Sequence, residues 1–283
     1  MPTRWHAPRR LPEALAILAA EPIAIPLAGG TDLMVLRGQG SLADAAFVDI
    51  RALSELRGIH EVPDGTALGA LTTYSDIVAS PLIRAHYPLL AQAARLSGAW
   101  AVQNRGTLGG NIANASPAAD TPPVLLVHRA RIELTSVRGS RWLPYSEFHV
   151  GYKATRRAPD ELITRVVLPR GDRAVGLYRK VGTRQAQAIS KVCFAGLAHR
   201  RAARLDDVRI ALGSVAPTAV EATRTARYLC GRRPEEIDPR VARRLLEEEI
   251  APIDDIRSTA RYRRTVAGNV LEQFLEEIGG GAP

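Results

Sequence analysis

Hydrophobic positions along the chain follow two periods, one helical and one strand-like. Leu11, Leu15 and Leu18 return at helical spacing, with Pro12 tolerated in the first turn. The apolar run 23–27 reads as a buried strand, 33–36 as a short helix and 46–50 as a second strand. Two short runs, 58–62 and 66–70, flank Pro63-Asp64-Gly65 and predict a hairpin. Helical patterns follow at 73–79 and 88–97. Runs 131–137 and 141–143 flank Arg138-Gly139 as a further hairpin, and 161–168 is a strand closed by Pro169. Arg170-Gly171-Asp172-Arg173 reads as a linker. Beyond it, 189–199 and 208–212 are strand-like, while 220–229 and 241–250 are helical. Val266, Val270, Leu271, Phe274 and Ile278 keep helical periodicity in a last helix, and 279–283 reads as a frayed tail. The pattern predicts an α+β chain in three units, 1–57, 58–170 and 174–283.

Two stretches interrupt this pattern because they carry almost no bulk. The first is Leu27-Ala28-Gly29-Gly30-Thr31-Asp32-Leu33, between a predicted strand and a predicted helix. The second is Arg105-Gly106-Thr107-Leu108-Gly109-Gly110-Asn111, continuing through Asn114 and Ser116 to Asp120. Glycine lets main-chain N–H groups turn one way and approach an anion closely. A glycine turn between strand and helix also presents a helix N-terminus, where phosphate is favoured. The plainer alternative is a pair of turns with Thr31 or Asp32 capping a helix. Asp32 would repel a phosphate, so its carboxylate is expected to point at its own backbone or at a sugar hydroxyl. Neither stretch is G-x-G-x-x-G or a P-loop, so motif logic stops at a nucleotide or dinucleotide binder of another fold.

Charge and composition narrow the field. The 283 residues carry a net charge of +9, almost all from arginine, since the only lysines are Lys153, Lys180 and Lys191. A basic nucleic-acid-binding module is therefore a candidate. The arginines are scattered, and clusters such as Arg200, Arg201 and Arg204 lack interleaved stacking aromatics, which favours a solvated or subunit-facing surface. No run is long and apolar enough for a membrane span. Arg4, Arg9 and Arg10 precede an apolar stretch as in a signal peptide, but Pro12 and Glu13 break it. The six histidines and the cysteines Cys193 and Cys230 have no metal-site spacing, and both cysteines read as fillers in a reducing compartment.

At the two glycine stretches the sequence resembles the FAD-binding medium subunit of the molybdenum hydroxylases, the xanthine dehydrogenase and carbon monoxide dehydrogenase superfamily. The likeness continues through Ala115-Ser116-Pro117-Ala118-Ala119-Asp120, Glu161-Leu162-Ile163, Tyr178-Arg179-Lys180, Ala211 to Thr218 and Pro252-Ile253-Asp254-Asp255. It implies a two-lobed FAD-binding fold of the PCMH or vanillyl-alcohol-oxidase type, with a C-terminal α+β domain of the CO dehydrogenase flavoprotein type. FAD would lie between the first two units. Leu27, Ala28, Gly29, Gly30, Thr31, Asp32 and Leu33 would line its pyrophosphate and ribityl chain. Gly106, Thr107, Gly109, Gly110, Asn111, Asn114 and Ser116 would contact the diphosphate or ring edge. Asp120 would bond a sugar or adenine group, Leu162 or Ile163 would touch adenine or the ring face, and Lys180 would sit by the flavin's polar edge. Each has a plainer reading: Asn114 as a local backbone partner, Asp120 as a helix cap, Leu162 and Ile163 as core, Lys180 as a surface strand residue.

The resemblance implies an oxidoreductase subunit with no catalytic residue or metal ligand of its own. It implies a large molybdenum-cofactor subunit and a small iron–sulfur subunit as partners, NAD, oxygen or another acceptor, and a cytoplasmic setting without membrane or nucleic-acid contact. Two departures stand out. Ala101 and Gln103 replace usual residues before the second stretch, and Ala188 stands where the family often carries an acid, so acceptor preference does not transfer. A self-contained FAD oxidoreductase of the same fold is the rival enzyme reading.

Overall fold

Leu15 and Leu18 bury one face of α1 (Leu11–Ala20), which connects β1 (Arg4–His6) to β2 (Ile25–Leu27). The structure, a computed structural model, describes residues 4–42, 44–171 and 174–280. From β2 the chain passes through α2 (Leu33–Gly38) to β3 (Ala46–Asp49), which enters the sheet between the first two strands. All pairings are parallel, as helical crossovers require. The predicted strand 23–27 is shorter than expected. Ile23 is 79% exposed in a turn, because the ladder to β3 begins only at Ile25.

The next unit is antiparallel. Pro63 and Asp64 turn β4 (Ile59–Val62) into β5 (Gly65–Gly69), and Gly65 pairs with Val62, fulfilling the hairpin expectation. Helices α3 (Tyr74–Ala79), α4 (Pro81–His86), α5 (Pro88–Leu96), α6 (Trp100–Gln103), α7 (Leu108–Asn114) and α8 (Pro122–Val127) follow. The chain then returns as β6 (Arg131–Ser136) and β7 (Gly139–Pro144), the small ribbon β8 (His149–Gly151) and β9 (Ala154–Thr155), and β10 (Leu162–Pro169). The sheet order is β4-β5-β10-β6-β7. Its apolar face packs on Tyr87, Leu90, Leu108, Ile112 and the wholly buried α8. Leu71 and Leu162 reach into the core beneath the parallel sheet, so the two units share packing.

The last unit is a second antiparallel sheet, β11 (Val175–Val181), β12 (Val192–Arg201), β13 (Arg204–Gly213) and β14 (Val220–Glu221). One face carries α9 (Thr223–Leu229), α10 (Pro239–Glu249) and α11 (Ala260–Gly280), packed through Phe194, Leu246, Leu271 and Phe274. Tyr178, Cys193, Ala195 and Ala211 on the other face join the core around α5 and α8. The predicted helix 220–229 is a strand at its start: Val220 and Glu221 pair with β13 before α9 begins. Gly279 and Gly280 stay inside α11 instead of fraying, and the rest of the predicted tail, 281–283, lies outside the described residues. Of the predicted linker, Asp172 and Arg173 also lie outside them.

Candidate functional site

The first glycine stretch leaves β2 and enters α2. Gly30 adopts φ +76°, a left-handed conformation that suits glycine. A Cβ on Gly29 would stand 1.9 Å from the Arg105 carbonyl oxygen, so the two stretches meet backbone to backbone. Arg105 Nε donates back to the Gly29 carbonyl at 3.2 Å. Among the described residues, the N–H groups of Gly29, Gly30, Thr31, Asp32 and Leu33 donate to no protein acceptor. The helix-cap alternative for Thr31 and Asp32 does not hold. Asp32 occupies the N-cap with no side-chain bond, its φ of −106° and ψ of −50° already helical.

The second stretch uses its donors internally. The N–H of Leu108 bonds the Thr72 carbonyl and that of Gly109 the Ala70 carbonyl, each at 2.9 Å. Thr107 caps α7 by accepting from the Gly110 N–H at 3.1 Å. Side chains supply what the backbone does not. Asn111 Oδ1 accepts from Thr121 Oγ1 at 2.5 Å, and Asn114 Oδ1 accepts from Lys153 Nζ at 3.0 Å. Among the described residues, neither carboxamide nitrogen donates to a protein acceptor. Asn114 thus serves a side chain, not its local backbone.

The two stretches, in contact with one another, both line a cleft of about 720 Å³. Ala28 to Leu33, Gly106, Thr107, Gly109, Gly110, Asn111, Asn114, Ser116, Asp120, Leu162 and Ile163 all lie on its wall. Leu162 and Ile163 are consecutive, yet both reach it. A bulge between Ile163 and Arg165 bends β10 there. Two expected residues are not on the wall. Leu27 is buried in the end of β2, and its carbonyl accepts from the Ile50 N–H. Lys180 is neither a wall residue nor a surface one. It lies behind Asp120, with its side chain 6% exposed.

Asp120 is the most heavily bonded group in the cleft. Its carboxylate accepts from Lys180 Nζ at 2.7 Å and from Ser190 Oγ at 2.6 Å. Its carbonyl accepts from Tyr178 Oη at 3.2 Å. Burial pushes its carboxyl upward, and the Lys180 ammonium beside it pulls it back toward the charged form. The cap alternative for Asp120 therefore fails, since Thr121 is the N-cap of α8 and no side chain caps it. Lys180 also donates to the Leu96 carbonyl at 2.8 Å, so its charge is consumed inside the protein.

Several wall residues carry no motif. Lys153 and Arg157 bring cations to the cleft, and Tyr74, Gln187, Ala188 and Ile189 complete it. Arg157 is fixed by the carbonyls of Ala158 and Glu161, at 3.1 and 2.7 Å. The available signal was scarcity: two of the three lysines stand at or directly behind the wall. Of the departures noted in the sequence, Ala188 is on the wall, whereas Gln103 turns away to the Arg95 carbonyl.

Comparison with known proteins assigns this architecture. A family model described as the FAD-binding domain in molybdopterin dehydrogenase matches residues 1–171, and one for the CO dehydrogenase flavoprotein C-terminal domain matches 177–278. The chain belongs to the FAD-binding chains of the molybdopterin dehydrogenases. The carbon monoxide dehydrogenase medium chain of Hydrogenophaga pseudoflava is 30% identical, over 96% of this chain and 95% of that one. A putative xanthine dehydrogenase FAD-binding subunit of Escherichia coli is 29% identical, over 98% and 97%. The structure of quinoline 2-oxidoreductase from Pseudomonas putida 86 superposes with a TM-score of 0.92 at 27% identity, covering 100% of this chain and 98% of that one. The fold is thus the α+β fold of this family, an FAD-binding part followed by a CO dehydrogenase flavoprotein C-terminal part.

The cleft of this FAD-binding chain suits such a cofactor on its own chemistry. Five unused N–H groups in succession match a diphosphate. Glycines permit close approach, Leu162 and Ile163 give apolar surface, and the volume falls within the roughly 300–1,000 Å³ typical of ligand pockets. No group of three or more His, Cys, Asp or Glu among the described residues could hold a metal ion, and no described helix is long and apolar enough to cross a membrane.

Proposed function

We propose that this chain is the electron-transfer subunit of a heteromeric molybdenum hydroxylase, holding FAD between its two glycine stretches. In this reading the diphosphate sits on the N–H groups of Gly29 to Leu33. Gly106, Thr107, Gly109, Gly110, Asn111, Asn114 and Ser116 form the adjoining surface. Asp120 bonds a polar edge of the cofactor, Leu162 and Ile163 pack against a ring, and Leu27 and Lys180 support the wall from behind. The three units 1–57, 58–170 and 174–283 serve as first lobe, second lobe and assembly domain.

FAD supplies a redox centre that accepts electrons and passes them on when bound. The chain's own residues bind it, orient it and set the charge around it. Substrate oxidation belongs to a large molybdenum-cofactor subunit, and a small iron–sulfur subunit relays electrons to this chain. NAD, oxygen or another acceptor then removes them; the rim at Gln187 to Ile189 carries no carboxylate, so the family's acceptor preference does not transfer. Support for the partners comes from relatives named as medium chains or subunits of carbon monoxide, glyceraldehyde and nicotine-oxidising enzymes. The free Cys193 and Cys230 suit a reducing cytoplasm.

The observation that carries this reading is the run of five unspent N–H groups on residues that line the cleft. The test is purification of the chain from its host under native conditions. A flavin absorbance spectrum, one FAD per chain and two co-purifying subunits are expected. Substrate turnover by the isolated chain would instead support a self-contained oxidoreductase, and flavin-free material binding nucleic acid in low salt would overturn both.

A further inference from the structure

The C-terminal sheet and helices contribute only a short rim to the cleft, yet one of their residues reaches it through a continuous chain of bonds. Arg263, in the first turn of α11, is 4% exposed. Its Nη1 donates to the carbonyls of Lys191 and Ser214, at 2.9 and 2.8 Å. Its Nη2 donates to Asp255 Oδ1 at 2.8 Å, and Asp255 is itself fixed by the N–H groups of Arg257 and Ser258. Lys191 immediately precedes β12 and Ser214 immediately follows β13. One guanidinium therefore ties together the ends of two neighbouring strands.

Those ends hold the cleft wall. Ser214 donates its N–H to the Pro117 carbonyl at 2.8 Å and its Oγ to the Ser190 carbonyl at 2.9 Å. Ser190 donates its Oγ to Asp120. Ser214 holds this place at φ +66°, a conformation unfavourable for a residue with a Cβ, so its surroundings must enforce it. Stability alone is a weak reason for an arginine here. Its Nε is buried with no partner among the described residues, and an apolar side chain of similar volume often costs nothing at such a site. Holding both strand-end carbonyls on Nη1 while Nη2 is anchored on the Asp255 carboxylate does call for a planar group with two arms.

We propose that Arg263, oriented by Asp255, is a positioning residue for the cofactor cleft, acting through Ser214 and Ser190 on Asp120. This rests on the reading of the cleft as the FAD site. The fork holds Ser190 where its hydroxyl meets Asp120, and Asp120 in turn fixes the Lys180 ammonium. Loosening the fork frees the Ser190 end of the rim, and the Asp120 carboxylate loses its second donor.

The test uses the assembled enzyme stripped of flavin and titrated with FAD, with fluorescence quenching and visible circular dichroism of the bound flavin as readouts. Arg263→Met is compared with Arg243→Met. Arg243 also ties α10 to α11, through Glu272 and the Thr265 carbonyl, but is not bonded to the cleft wall. Arg263→Met is expected to weaken FAD binding about tenfold or more, the scale for losing charge-assisted bonds that fix a ligand group, and to alter the dichroism. Arg243→Met is expected to leave both unchanged, and Arg263→Lys to restore only part of the affinity. Equal affinity and dichroism in the Arg263 and Arg243 variants would overturn the proposal. If Arg263→Met does not assemble, Ser214→Ala carries the test, since it removes only the hydroxyl bond to Ser190; wild-type affinity and dichroism there would overturn it as well. Failure of the wild-type complex to take up FAD at all would sink the functional reading instead.

Discussion

The first glycine stretch keeps five N–H groups unspent, whereas the second commits its own to Thr72, Ala70 and Thr107. In sequence they look like two copies of one device, each a glycine pair beside a threonine. In the fold they divide the task. The first emerges from a short parallel sheet and offers backbone donors to an anion. The second is a capped helix lying against β10 and the chain just after β5, and it offers side chains and a small-residue surface. Glycine serves a different end in each. Gly29 and Gly30 create a turn that presses on the second stretch, while Gly109 lets a helix lie against the Ala70 carbonyl, 2.8 Å from where its Cβ would be. A glycine pair thus signals close backbone approach, and only the hydrogen-bond ledger tells whether the approach serves a ligand or the fold.

The sharpest way to break this comparison is Gly29→Val. Its Cβ would overlap the Arg105 carbonyl and force the two stretches apart, so we expect a complex that assembles without flavin. Absorbance of the purified complex checks it, and full flavin occupancy would show that the two backbones need not touch. Next in size is Lys180→Met, which strands the buried Asp120 carboxylate behind the second stretch. Removing one partner of a buried pair costs about 3–5 kcal/mol, read from denaturant midpoints.

The scaffold behind the second stretch also carries an acid-sensitive group. Burial lowers the His128 imidazole, at the end of α8, to about 4. Its unfolded value lies near 6.5, so between those pH values the unfolded chain binds the extra proton. Stability contributed by neutral His128 is therefore complete above pH 6.5 and is lost as pH falls toward 4, by up to about 3 kcal/mol. Melting curves across that window should flatten in a His128→Leu variant. The smallest effect is Thr107→Ala, which removes the α7 cap and costs about 1 kcal/mol. FAD affinity should stay within a few-fold, because that cap serves the fold. The matching change in the first stretch, Thr31→Ala, should cost no stability, since Thr31 caps nothing.

Much of the architecture was legible because it is local. The Pro63-Asp64-Gly65 hairpin, the 3.6-residue recurrence from Val266 to Ile278 and the proline at the end of β10 each act over a few residues. Boundaries decided by pairing were not. Ile23 looks like the start of a strand and lies in a turn, and Val220 looks helical and pairs with Leu212. The site split the same way. Both glycine stretches announce themselves, since nothing else justifies so little bulk. Lys153 and Arg157 do not, because a cation in a connection between strands looks the same whether it faces a cleft or water. Lys180 was expected at the cofactor's edge, but the partner that draws it inward, Asp120, lies 60 residues away in sequence.

The central claim is that the diphosphate rests on the first stretch and not on the second. A structure of the FAD-loaded complex tests it most directly, by locating the two phosphorus atoms. The account predicts phosphate oxygens at about 2.7–3.2 Å from N–H groups between Gly29 and Leu33, with Asn111 and Asn114 contributing only side-chain contacts. Phosphates held by the α7 backbone, or lying outside the cleft with the Gly29–Leu33 donors still bare, would contradict it.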